Sequence, residues 1–119
     1  MFKNLKKIIG AHGERKALRF LVSHGLKLIT QNYSCRYGEI DLIMRDNTGV
    51  VFVEVRWSKN SKFCHPIQTV NATKQLRLHK TALHYIKRYN VDAPMRFDVV
   101  GIENNRHPTW IKDAFALQY

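Results

Sequence analysis

The sequence predicts an α/β sandwich, a central mixed sheet flanked by helices, with elements in the order α-β-β-β-α-β-β. Three observations lead there. Two segments carry apolar residues at helical spacing, and others alternate with period two. A hydrophobic content of 45% over 119 residues gives residues 1–119 enough material for one domain with its own core. No repeat, low-complexity tract or interior linker divides the chain.

The first element is GERKALRFLVSHGLK, read as an amphipathic helix beginning near Gly13. Ala17, Leu18, Leu21 and Val22 recur on one face, basic residues occupy the other, and Gly25 supplies a stop. LKLITQNYS then reads as a first strand. From Gly38 to Met44 the pattern alternates, which sets Ile40, Leu42 and Met44 against Glu39, Asp41 and Ile43. DNTG, Asp46 to Gly49, is turn chemistry, with Gly49 expected to supply a positive φ. Val50 to Trp57 completes an antiparallel hairpin. On this strand Val51, Val53, Val55 and Trp57 share one face; Phe52, Glu54 and Arg56 share the other. A polar loop around Pro66 precedes a long helix from about Asn71 to Tyr89. Leu78, Ala82, Tyr85 and Tyr89 form its apolar stripe, and Lys80, Lys87 and Arg88 lie on a basic, solvated face. RFDVVGI and the weaker WIKDAFAL are the last two strands.

Charge narrows the function. The chain has 20 Lys and Arg against 9 Asp and Glu, a net charge of +11 and a pI near 10.0. Such a field attracts polyanions, so nucleic acid is the leading partner and an anionic membrane surface the second. The membrane reading rests only on the N-terminal lysines. MFKNLKKIIG is broken by lysines too often to make a signal-peptide core, and no run approaches the ~18 apolar residues of a span. Cys35 and Cys64 are expected to be free thiols of a cytoplasmic protein. A zinc site is not favoured, since no CxxC pair exists and His79 and His84 are poorly spaced to share a helix face.

The hairpin poses the sharper question. Glu39, Asp41 and Glu54 are three of the chain's nine acids, all in its two strands. If the register puts Asp41 beside Glu54 and Arg56, two carboxylates and a cation converge. Carboxylates that close stay ionised comfortably only with a cation between them, and Mg²⁺ (or Mn²⁺) suits all-oxygen ligation. The Val55 carbonyl would be a further ligand. A metal there would polarise a phosphate and acidify an attacking water. The competing reading is a cross-strand ion-pair cluster on a half-solvated sheet.

GEIDLI followed one turn later by VFVEVR resembles the core of the PD-(D/E)XK nuclease superfamily, in which an Asp is followed by Glu-x-Lys. The match is closer to the bacterial YraN-type family of predicted endonucleases, which resemble Holliday-junction resolvases. It covers most of the chain: the Gly-Glu of GERKALRFL, GEIDLI, VFVEVR, the KQ pair and RFDVV. The resemblance implies a restriction-endonuclease-like sandwich and a metal-dependent endonuclease acting on structured DNA. Asp41 and Glu54 would be metal ligands, with Glu39 adjacent. Glu14 would complete the site; the alternative is a first-turn acid favoured by the helix dipole. Lys74 and Gln75 would contact phosphate or water, or else serve the helix surface. Asp98 in RFDVV occupies a family-typical position with no assigned role.

One departure stands out. Where the motif expects Lys, this chain has Arg56. Arginine stays charged and cannot act as a base, yet it can hold a phosphate bidentately. The alternative function is therefore a non-catalytic nucleic-acid-binding protein on the same fold. Lys59 and Lys62, in the loop after the motif, are placed to meet backbone phosphates. Tyr33, Tyr37 and Trp57 would stack on unpaired bases or pack against the rim of the core. His12 is near Glu14 and would assist a phosphate or stay on the surface. A homodimer is compatible with resolvase-like relatives that cut two strands.

Overall fold

A computed structural model describes residues 2–58, 69–103 and 106–116, with side chains for residues 11–57 and the later described segments. Lys59, Lys62 and Cys64 lie outside them. The first helix, α1, runs Phe2–Ser23, so it begins well before Gly13. Strands β1 (Lys27–Cys35), β2 (Gly38–Arg45) and β3 (Val50–Ser58) follow, then helix α2 (Ala72–Tyr89) and strands β4 (Met95–Glu103) and β5 (Thr109–Phe115). The order α-β-β-β-α-β-β is as predicted.

The five strands form one sheet in sequence order, β1-β2-β3-β4-β5. All neighbours are antiparallel except β3 and β4, which run parallel in continuous register from Val50–Met95 to Ser58–Glu103. A parallel pair cannot be closed by a tight turn, so the chain crosses over between them through α2.

Each face of the sheet packs on one helix. Phe52, Ile43, Phe97 and Val99 meet Leu78, Ala82 and Tyr85 of α2. Leu42, Met44, Val51, Val53, Val100 and Ile102 meet Ala17 and Leu21 of α1. Burial on both sides explains why β3 and β4 read as nearly continuous apolar runs. Val22, expected on the buried face of α1, is 52% exposed; Ala17 and Leu21 carry that contact. Alternation also breaks in β2. Ile40 packs with Ile43 on the α2 side, not with Leu42 and Met44.

Local chemistry sets the boundaries. Gly25 ends α1 with a φ of 95° while its amide donates to the Val22 carbonyl, a left-handed stop. The Asn71 side chain accepts from the Lys74 amide at 2.9 Å and starts α2; Asn90, at φ 50°, ends it. In the turn, the Asp46 carboxylate accepts from the amides of Thr48 and Gly49 at 2.8 and 3.0 Å. Gly49 is not there for a positive φ. A Cβ at that position would collide with the Pro94 carbonyl, which accepts from the Val50 amide, so close backbone approach requires the glycine. Among the described residues no helix is long and apolar enough to cross a membrane.

Candidate functional site

The site begins where a ladder stops. The β2–β3 pairing runs from Arg45–Val50 to Leu42–Val53. Asp41 and Glu54 would make the next rung. Instead, the Asp41 carboxylate accepts the Val55 amide at 2.8 Å. A side chain thus takes a donor in the fork between the strands. Asp41 is largely buried, and burial raises its pKa; the Val55 amide and then Lys74 pull the other way.

Glu54 stands on the α2 side of β3, only 5% exposed. Two cations meet it there. Lys74 Nζ is 3.2 Å and Arg56 Nη1 3.6 Å from Glu54 Oε1. Burial, and then the Asp41 charge, nevertheless push the Glu54 carboxyl up to about 7. Arg56 is anchored from beyond the sheet: its Nε donates to Thr69 Oγ1 at 2.8 Å and a terminal nitrogen to the Thr69 carbonyl at 3.3 Å.

Glu14 approaches from the opposite layer. It lies mid-helix in α1, so the first-turn dipole explanation does not apply. Its carboxyl is raised to about 7 by burial, then by the charges of Asp41 and Glu39. Asp41 is the member common to both groups. It feels Lys74 and Arg56 from the α2 side, and its charge acts on Glu14 of α1. The opening of the ladder lets acids from two faces of a sheet share one neighbourhood.

Sequence reasoning missed Asn32. With its amide nitrogen turned to the acids, it donates to Glu14 Oε2 at 3.1 Å and Glu39 Oε1 at 3.0 Å. Its φ of 52° lies in the left-handed region that asparagine tolerates better than most residues, which aims a side chain of β1 at α1 and β2. An isolated non-glycine residue of this kind within a strand cannot be told from its neighbours in a sequence.

Other expected residues divide. Lys74 joins the cluster. Gln75 does not: its side chain donates to the Val70 carbonyl at 3.0 Å and braces the approach to α2. Tyr33 packs on Tyr85 in the core, and Trp57 packs with the α1-side cluster. Asp98 is structural. Only 1% exposed, it binds Arg96, Trp110 Nε1 at 2.9 Å and the Asp113 amide at 3.0 Å, tying β4 to β5 beside their register shift. His79 is buried against Phe97 and Phe115, and His84 bonds Tyr33.

Among the described residues no three His, Cys, Asp or Glu side chains stand in an arrangement that would hold a metal ion as they are. The donor chemistry of Asp41, Glu54 and Glu14 nevertheless fits a hard divalent cation: oxygen-only, crowded and short of countercharge. Lys74 occupies the Glu54 carboxylate that such an ion would use.

The family model described as uncharacterised protein family UPF0102 matches residues 13–102. The chain belongs to UPF0102. A UPF0102 protein of Coxiella burnetii (strain RSA 331 / Henzerling II) is 46% identical over 118 residues, 98% of each chain. UPF0102 proteins of Psychromonas ingrahamii and Nitrosomonas eutropha are each 45% identical, over 107 and 106 residues; these matches cover 89% of this chain and 88% and 91% of those relatives. The region matched by the UPF0102 model takes in Glu14, Asn32, Asp41, Glu54, Arg56 and Lys74 and stops before β5.

Proposed function

We propose that this UPF0102 protein is a metal-dependent endonuclease of the PD-(D/E)XK type, hydrolysing phosphodiesters in nucleic acid, with structured DNA as substrate. One observation carries the reading: Asp41, at the end of the β2–β3 ladder, is flanked by Glu54, Glu14 and two cations in a chain of net charge +11.

Asp41 and Glu54, completed by Glu14, would hold Mg²⁺ or Mn²⁺, which supplies polarisation of the phosphate and a more acidic water. Arg56 would hold the scissile phosphate and, staying charged, would not deprotonate the attacking water. Its two bonds to Thr69 fix the guanidinium in place, so little reorganisation is needed when charge builds on the phosphate. Lys74, now 3.2 Å from Glu54, would be available to the phosphate if Glu54 served as a metal ligand. Glu14 and Glu54, both pushed up to about 7 by burial and the charge of Asp41, are carboxyls whose ionisation a bound cation would favour. A homodimer would present two such sites to two strands, in the cytoplasm.

A second reading has its own observation. Glu54 is already engaged by Lys74 and Arg56, so the acids would serve as a structural ion-pair cluster in a protein that binds nucleic acid without cutting it. Incubating four-way, flapped and linear DNA with Mg²⁺ or Mn²⁺ separates the two. The nuclease reading expects cleavage that Glu54→Gln abolishes. It fails if no substrate is cut, or if the variant cuts as well as the wild type.

A further inference from the structure

A second charged feature lies away from the carboxylates. A groove of about 550 Å³ opens between the β1–β2 turn and the outer face of α2, lined by Arg36, Tyr37, Lys80, Leu83, His84 and Lys87. It contains no carboxylate. Arg36, Lys80 and Lys87 form no ion pair with an acid among the described residues. Three cations left unneutralised in one concavity attract an anion more strongly than the same charges spread over a convex surface.

The groove is also built. Arg36 donates to Tyr37 Oη at 2.6 Å and stands over the Tyr37 ring at 4.8 Å, while Lys80 approaches the same ring at 5.9 Å. Both contacts hold the cations against the Tyr37 ring, which leaves the groove better suited to a phosphate than to a stacked base. Tyr33, 8% exposed, places its hydroxyl 2.6 Å from His84 Nδ1. In the tautomer in which the Tyr33 hydroxyl donates, Nε2 of His84, a residue that lines the groove, carries the ring hydrogen.

Position connects it to the site. Lys80, His84 and Lys87 follow one another at helical spacing on α2, the helix whose first turn carries Lys74. At 1.5 Å per residue, Lys80 and Lys87 stand roughly 9 and 20 Å along the axis from Lys74. Arg77 extends the stripe back toward the acids, where a Cβ on Gly38 would come within 3.8 Å of the Arg77 Cβ. The strand that begins at Gly38 carries Asp41.

We infer that this groove is a phosphate track that grips the DNA backbone flanking the reacting phosphodiester, with Arg36, Lys80, His84 and Lys87 as its contacts. It rests on the nucleic-acid reading above and adds to it where the rest of the substrate lies.

The test measures binding of a fluorescein-labelled flapped DNA duplex by anisotropy in EDTA, where cutting is suppressed, across a salt series. Lys80→Gln with Lys87→Gln is compared with the wild type and with Lys27→Gln plus Arg45→Gln. The latter pair is exposed at the opposite end of β1 and β2 and removes the same charge. The groove pair is expected to weaken binding about tenfold or more and to flatten the salt slope by about 2, one phosphate contact per lysine. The control pair should change affinity by less than about threefold. Equal losses in both pairs would reduce the effect to bulk charge and overturn the track, as would a groove pair that binds like the wild type. If the wild type does not bind this DNA, the nucleic-acid reading falls and takes the track with it. If the wild type binds through the groove yet cuts nothing with Mg²⁺ or Mn²⁺, only the nuclease reading fails. Melting curves confirm that both variant pairs are folded.

Discussion

The Asp41 carboxylate accepts the Val55 amide at 2.8 Å, one step past the last backbone rung between β2 and β3. A side chain thus closes the ladder, and it is the same side chain whose charge disfavours ionisation of Glu14 and Glu54. Asp41→Asn keeps an acceptor for Val55 and removes the charge. We expect a folded protein, both glutamates shifted down toward the usual carboxylate range, and cleavage reduced by 100-fold or more. Carbon-detected NMR titration reads the first effect. Unchanged Glu14 and Glu54 titrations would show that Asp41 does not couple them.

Stability should fall with rising pH in a defined window. Glu14 and Glu54 titrate near 7 in the folded chain against an ordinary value of 4.5. Between those limits the folded chain holds protons that the unfolded chain has released, so raising pH favours unfolding. Above about 7 the effect is complete. Melting temperatures measured from pH 4.5 to 8 should decline across this window, and less steeply for Glu54→Gln.

Divalent cations should reverse that penalty. An ion that binds the ionised cluster stabilises the folded state by mass action, and protons compete with it. Millimolar Mn²⁺ is therefore expected to raise the melting temperature more at pH 8 than at pH 5.5. Equal shifts at both values would place the ion elsewhere.

On the proposed nuclease reading, Arg56→Lys introduces the residue that the PD-(D/E)XK motif expects, but it gives up the paired contacts to Thr69. About 1 kcal/mol of stability should be lost. In exchange the pH–rate profile should gain an ionisation, because a lysine beside a reacting phosphate can shed its proton and arginine cannot. A profile identical in shape to that of the wild type would mean that position 56 only binds phosphate.

Asp98→Ala should act on the fold and leave chemistry alone. It strips partners from Arg96, Trp110 and the Asp113 amide together. Loss of a buried charged partner costs about 3 kcal/mol or more. Urea unfolding reads the loss, and cleavage by the folded fraction should be unchanged.

Much of the fold was legible because its signals are local. Period-two alternation fixed the faces of β3, so Phe52, Glu54 and Arg56 were assigned together correctly. Helical spacing found Leu78, Ala82 and Tyr85 of the buried stripe of α2, while Tyr89, expected at its end, is 54% exposed. Gly25 marked a helix end because a left-handed stop is a single-residue property. Where a local rule met a long-range contact, the rule gave the right residue for the wrong reason. Gly49 looked like a turn glycine, but the approach of Pro94 from the other side of the crossover demands it. Of the two readings of Glu14, the first-turn acid fails because its helix begins at Phe2; burial and then the charges of Asp41 and Glu39 raise its carboxyl.

The amino-acid sequence by itself determined the element order, the hairpin, the basic charge and the short list of acids in the hairpin and the first helix. Tertiary structure alone decided that the β2–β3 ladder ends at Leu42–Val53, that Asn32 reaches Glu14 and Glu39, and that Arg36 meets Lys80 across a groove. The physical reason is range. Spacing along a chain reports which face a residue occupies; where two strands part, and what enters the gap, depends on how distant layers pack.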